Sequence, residues 1–149
     1  MPNDEWQMTK EGVMKNLKVL LSILFFLTAC GGAPSGDVAE FNVEMREYSF
    51  SLDTLTVAAN QKVRVNILNK GNIEHDFSIM EIPTVSEPKV ADPSHGHSMT
   101  GPEPQLHASA LPGIRNTVEF TPTKPGTYEF YCVISGHKEQ GMAGKLIVK

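Results

Sequence analysis

The sequence predicts an all-β domain, a Greek-key β-sandwich or barrel of seven to eight short strands with one long loop insertion. Three observations carry this prediction. From Val38 onward apolar residues recur with period two rather than 3.6, turn-forming residues separate the alternating runs, and no amphipathic helix of useful length occurs.

In chain order, Phe41, Val43 and Met45 alternate with polar neighbours. Val63, Val65 and Ile67 alternate with Lys62, Arg64 and Asn66, and Phe77 and Ile79 with Asp76 and Ser78. Val118 and Phe120 alternate with Thr117 and Glu119, and Tyr128 and Phe130 with Thr127 and Glu129. The last run, Lys145 to Val148, is apolar on both faces around Leu146, Ile147 and Val148. Turns fall at Ala59-Asn60, Lys70-Gly71-Asn72 and Lys124-Pro125-Gly126. Pro83 to Gly113 breaks the pattern: it holds six prolines and shows no clear period. It reads as a long excursion between two strands, with one short helical turn.

Composition narrows the function. The 149 residues are 40% hydrophobic and 20% charged, a globular and not a disordered balance. A net charge of −4 argues against nucleic-acid binding through a basic surface. Two cysteines, Cys30 and Cys132, exclude a disulfide-dense scaffold and a four-cysteine zinc or iron–sulfur site.

The first 29 residues read as a signal peptide. Val19 to Leu27 is an apolar run too short to span a bilayer, flanked by Lys15 and Lys18, and Met14 reads as a possible true start. Leu27-Thr28-Ala29-Cys30 resembles the bacterial lipoprotein box, which makes Cys30 the expected lipidation site. The alternative is a secretory signal that happens to contain a cysteine. Residues 30–37 form a flexible tether with a reach on the order of 15 Å, and 38–149 form the folded domain. The expected location is extracytoplasmic, lipid-anchored to a bacterial membrane at the periplasm or cell surface. Lipid on Cys30 leaves Cys132 without a disulfide partner, and a metal would protect that thiol.

The chemistry concentrates near the C-terminus. Cys132 ends the strand Thr127–Tyr131 with the inward parity of Tyr128 and Phe130, His137 follows, and then Met142. Gly136, Gly141 and Gly144 let the loop fold back. Thiolate, imidazole and thioether together select copper over calcium, magnesium or manganese. Two histidines and a cysteine with a weak axial methionine form the blue-copper arrangement, so a second histidine is needed. His75 is the best candidate, because it follows a turn and shares the inward parity of Phe77 and Ile79. Singly, each of these residues also reads as an ordinary core or surface side chain.

With these residues in place, Val38 to Lys149 resembles the cupredoxins, the small blue-copper family that includes plastocyanin, azurin and auracyanin. The Cys-x4-His-x4-Met spacing is like that of auracyanin, and Pro125-Gly126-x-Tyr128-x-Phe130-x-Cys132 resembles the family's approach to its ligand loop. The resemblance maps the ligands of one copper ion onto His75, Cys132, His137 and Met142. It makes the edge of His137 the electron port, with Ile134, Gly141 and Ala143 in an apolar docking rim. One departure stands out: many members carry asparagine directly after the upstream histidine, where this chain has Asp76. An ionised carboxylate accepts hydrogen bonds but donates none, so the fastening of the two ligand loops is expected in altered form.

The function expected is therefore blue-copper one-electron transfer, Cu(I)/Cu(II), with no enzymatic activity. The expected partners are redox proteins such as a c-type cytochrome or a membrane redox complex, with the chain a monomer. The alternative is periplasmic copper binding, trafficking or storage, with His95-Gly96-His97-Ser98-Met99, and His107 further on, as a loading site. The bland reading of that segment is a polar loop with no route to the strand-bound centre. An oxidase or nitrite-reductase domain needs further copper ligands, and a binuclear copper centre needs a second cysteine in the loop. Tyr131 reads as an ordinary surface tyrosine, or else as an aid to electron exit.

Overall fold

Alternating apolar residues become pleated strands because successive side chains leave a strand on opposite faces. The structure, a computed structural model, describes residues 36–94, 97 and 101–149; these residues form strands, bridges, turns, bends and irregular stretches, and no helix occurs among them. The expected signal segment, Cys30 and most of the tether lie outside the described residues, as do His95 and Met99.

Two five-stranded sheets form. The first orders β2 (Ser49–Phe50), β1 (Ala39–Arg46), β4 (Val63–Asn69), β8 (Arg115–Phe120) and β6 (Lys89–Val90). The second orders β3 (Thr54–Val57), β10 (Ala143–Val148), β9 (Gly126–Tyr131), β5 (His75–Ile79) and β7 (Leu106–Ala110). The pairs β1–β4 and β3–β10 are parallel, and the remaining pairs are antiparallel. Eight strands have four or more residues, and β2 and β6 have two each.

The register explains the core. Val43 faces Ile67 across β1–β4, and in a separate row Phe41, Val65 and Val118 line up across β1, β4 and β8, so apolar rows cross the first sheet. From the second sheet, Phe77 and Phe130 stack with ring centroids 4.7 Å apart, and Phe50 meets both rings edge-on. Phe77 and Phe130 are buried in one cluster that also contains Cys132 and Met142, and Phe50 packs against it.

The proline-rich excursion differs from the expectation. It contributes two strands, β6 and β7, and its described residues hold no helix. The run Leu106-His107-Ala108-Ser109-Ala110 alternates, but alanine and serine are weak strand formers and hide the period. Pairing supplies what propensity does not: β7 lies along β5 from Ile79↔Leu106 to His75↔Ala110. Asn116 secures the segment before it, donating to the carbonyls of Asp92 and Ser109 and accepting from the Asp92 amide. Every residue of β5 is consequently buried, on both faces of its sheet.

Candidate metal centre

The centre is built where β5 begins and β9 ends. The turn before β5 is organised by Asn69, which donates to the carbonyls of Ile73 (2.7 Å) and Ala110 (2.8 Å) and accepts from the Gly71 amide (2.8 Å). Glu47 accepts hydrogen bonds from the backbone and side chain of Asn72. Gly71 is required by close approach: a Cβ there would stand 2.9 Å from His75 Nε2 and 2.9 Å from Glu47 Oε1. The turn thus presses His75 inward, and the residue is fully buried.

The second loop follows β9. The Cys132 amide donates to the Met142 carbonyl (3.1 Å), and the Met142 amide to the His137 carbonyl (3.0 Å). Gly136 (φ +81°) and Gly141 (φ +106°) take the left-handed conformations that close this loop. Gly144 does not belong to that device. It sits within β10 opposite Phe130, where a Cβ would fall 2.2 Å from the Phe130 ring. Its small size admits the ring to the core.

The ligand atoms of His75, Cys132 and His137 lie within 4.8 Å of one another. Cys132 Sγ is 3.3 Å from His137 Nδ1, and the two imidazole rings are 5.1 Å apart. Met142 is fully buried and its backbone is fastened to both Cys132 and His137. The structure therefore gathers all four sequence-predicted residues at one end of the sandwich. His75 and Met142 are 0% exposed, Cys132 1% and His137 6%.

The donor chemistry fits a soft or borderline metal ion. Neither ring nitrogen of His75 has a hydrogen-bond partner among the described residues, an arrangement that disfavours an imidazole kept for structure alone. Burial, with His137 next to it, pushes the His75 imidazole below its ordinary pKa and keeps it neutral, the form that binds metal. Burial first, and the Asp76 carboxylate second, push the Cys132 thiol up to about 12. A buried thiol of that kind becomes a thiolate at neutral pH only when a cation takes the place of its proton. Two imidazoles, a thiolate and a thioether suit copper.

Several contributing residues were not singled out by sequence reasoning. Asn69 and Glu47 shape the first loop, but their partners lie 41 and 25 residues away and leave no local signal. Tyr48, at the tip of the β1–β2 hairpin with φ +59°, meets the His137 ring edge-on at 5.2 Å. The fastening expected to suffer from Asp76 is kept by its backbone amide, which donates to Cys132 Sγ at 3.4 Å. His97 departs from the bland reading of its segment, since its Nε2 lies 3.5 Å from Asp76 Oδ2.

The sequence matches the model of the cupredoxin-like domain family over residues 18–148. It is 30% identical over 105 residues to the copper-resistant cuproprotein CopI of Rubrivivax gelatinosus, covering 67% of this chain and 59% of that protein's length. The fold is similar to auracyanin B (22% identity, TM-score 0.55, 74% of this chain and 89% of that one). It is also similar to auracyanin A of Chloroflexus aurantiacus (19% identity, TM-score 0.56, 76% and 100%). A copper-containing nitrite reductase of Thermus scotoductus shares the fold over 76% of this chain and 28% of the enzyme (20% identity, TM-score 0.55).

Proposed function

Because the chain belongs to the cupredoxin-like domain family, we propose that it is a copper protein that carries single electrons, with His75, Cys132, His137 and Met142 holding one ion. One observation carries this reading: a buried two-imidazole, one-thiol donor set converges at the sandwich end. Copper bound there supplies a Cu(I)/Cu(II) couple.

The chain's own residues do the rest. His75 and His137 present imidazole nitrogens, and Cys132 gives up its proton on loading. The stacked Phe77 and Phe130 and the Asn69-braced turn fix both loops to the sheets, which keeps the donors in place between oxidation states. His137 is the least buried of the four, so electrons leave by its edge, bordered by Ile134, Gly141 and Ala143 and flanked by Tyr48. The contact with a redox partner, such as a c-type cytochrome or a membrane redox complex, is small and short-lived. On this reading the chain transforms no substrate. It works outside the cytoplasm, held to a membrane through lipid on Cys30.

The test is the visible spectrum and voltammogram of the copper-loaded protein. An intense sulfur-to-copper band and a reversible one-electron wave are expected, both lost in Cys132→Ser. A colourless, redox-silent copper complex overturns the reading. Cys30→Ala is expected to move the protein from the membrane to the soluble fraction with its colour intact.

Similarity to a protein named as copper-resistant favours a second reading, copper trafficking or storage. Transfer of Cu(I) to a competing chelator separates the two. A carrier with a buried thiolate releases the ion slowly, and a trafficking protein releases it within the mixing time.

A further inference from the structure

A second group of metal-ligating side chains lies beside the centre, on the other side of β5. Strand alternation turns Asp76 away from the core face occupied by His75 and Phe77. In the β5–β7 register Asp76 faces Ser109 and Ser78 faces His107, which puts Asp76 and His107 on one face. The excursion returns His97 over that face. Asp76, His97 and His107 each offer a ligand atom, and these atoms lie within 4.8 Å of one another.

Three features distinguish this group from incidental contact. Asp76 is 0% exposed, its Oδ1 accepts no hydrogen bond among the described residues, and it makes ion-pair contacts to His97 and His107. A carboxylate so buried needs a positive partner. The contacts Asp76 Oδ2 to His97 Nε2 and Asp76 Oδ1 to His107 Nε2 are both 3.5 Å. That is long for a charge-assisted hydrogen bond. Each is close to the roughly 3.3 Å that separates two ligands of a tetrahedral ion with bonds of about 2.0–2.1 Å, with the two histidines approaching different oxygens of the one carboxylate. Finally, the other nitrogen of His97, Nδ1, is 3.4 Å from Glu74 Oε1, which itself accepts from Ser109 Oγ at 2.5 Å. A carboxylate on the far nitrogen is how metal-bound histidines are commonly oriented.

We infer that Asp76, His97 and His107 form a second cation site, distinct from the cysteine centre, for a divalent first-row ion of the Zn(II) or Cu(II) type. Two imidazoles and one carboxylate without sulfur select such an ion over Cu(I), and over calcium or magnesium, which favour oxygen alone. The fourth position is left to water. His97 also lines a cavity of about 450 Å³ shared with Met80, Tyr131 and Cys132, which gives the ion a way in. The site stands whether or not the cysteine centre is an electron carrier. The two are nevertheless linked, because Asp76 Oδ2 is 3.9 Å from Cys132 Sγ. A dication on Asp76 disfavours Cu(II) relative to Cu(I) and so raises the potential of the neighbouring couple.

The probe is Zn²⁺, titrated by calorimetry into the copper-loaded full-length protein while the visible band is followed. One Zn²⁺ per chain is expected with the band retained. Binding is expected to weaken at least tenfold in His97→Ala and in His107→Gln, and 10–100-fold in Glu74→Gln. The zinc X-ray absorption spectrum of the wild type is expected to show two imidazoles and no sulfur. No Zn²⁺ uptake, or unchanged affinity in His97→Ala and His107→Gln, overturns the site. Should a variant lose the band by misfolding, the absorption spectrum decides alone: sulfur or oxygen-only ligation also overturns it.

Discussion

The backbone amide of Asp76 donates a hydrogen bond to the sulfur of Cys132 at 3.4 Å, while the side chain of the same residue places a carboxylate oxygen 3.9 Å from that sulfur. One residue thus stabilises a thiolate through its N–H and opposes added negative charge through its carboxylate. The N–H is independent of the side chain, so the two effects separate by substitution.

Asp76→Asn keeps the amide bond and removes the charge. A negative charge near the metal favours the more positive Cu(II) state, so its removal raises the reduction potential. At an effective dielectric near 20 a unit charge about 4 Å away is worth about 4 kcal/mol, an upper bound because the carboxylate lies beside the sulfur and not the metal itself. The expected rise is on the order of 100 mV. Voltammetry at neutral pH with a zinc chelator present checks it, and an unchanged or lower value refutes it.

The Cys132 thiol gives the metal-free protein a pH dependence of defined sign. Its pKa is raised from 9.0 to about 12 on folding, chiefly by burial. Between these values the unfolded chain has lost a proton that the folded chain keeps, so stability falls as pH rises. Below pH 9 the contribution is fully present, and it is lost through about 12. Chemical denaturation of the metal-free protein at a series of alkaline pH values is expected to show this slope, and Cys132→Ser to flatten it. A proton is likewise expected to be released when copper is loaded near neutral pH.

How far the sequence was legible follows from where the information sits. The parity of Cys132 with Phe130, and of His75 with Phe77, is local and survives into the structure, which is why the predicted residues meet at one point. β7 was not legible, because Ala108 and Ser109 carry little strand signal and acquire it only from pairing with Phe77 and Asp76. Gly144 looked like a loop hinge for the same reason: its true neighbour, Phe130, comes from the facing strand. The grouping of Asp76 with His97 and His107 depends on both the β5–β7 register and the return of the excursion, and neither leaves a mark in a linear pattern.

Gly71→Ala tests the packing of the first loop against His75. The added Cβ would stand 2.9 Å from His75 Nε2 and 3.2 Å from Asn69 Oδ1, so the turn or the imidazole must shift. Overpacking of this kind costs about 1–3 kcal/mol. The expected result is a lower melting temperature together with weaker copper binding and a displaced visible band. Gly126→Ala is the control, because its Cβ would meet only ordinary contacts with Tyr128 at 3.4 Å, far from the centre in the strand. Equal effects in the two variants would mean that the Gly71 turn does not position His75.

Met142 is expected to tune the centre rather than to hold it. The residue is fully buried, and its backbone accepts from Cys132 and donates to His137, so the loop geometry is set by main-chain bonds that a side-chain change leaves intact. A thioether is neutral and soft, and an axial bond from it is long and weak. Leucine has similar volume and keeps the packing while removing the sulfur, a swap that usually costs less than about 1.5 kcal/mol. Met142→Leu is therefore expected to bind copper, stay coloured and show a higher reduction potential, because a donor that slightly favours Cu(II) is gone. Met142→Gln replaces the sulfur with a harder oxygen donor that favours Cu(II) more strongly, and the potential is expected to fall below the wild type. Voltammetry of the two variants beside the parent gives three values whose order is fixed in advance. If both variants keep the parent's potential and spectrum, the sulfur does not reach the metal, and the ligand set reduces to His75, Cys132 and His137.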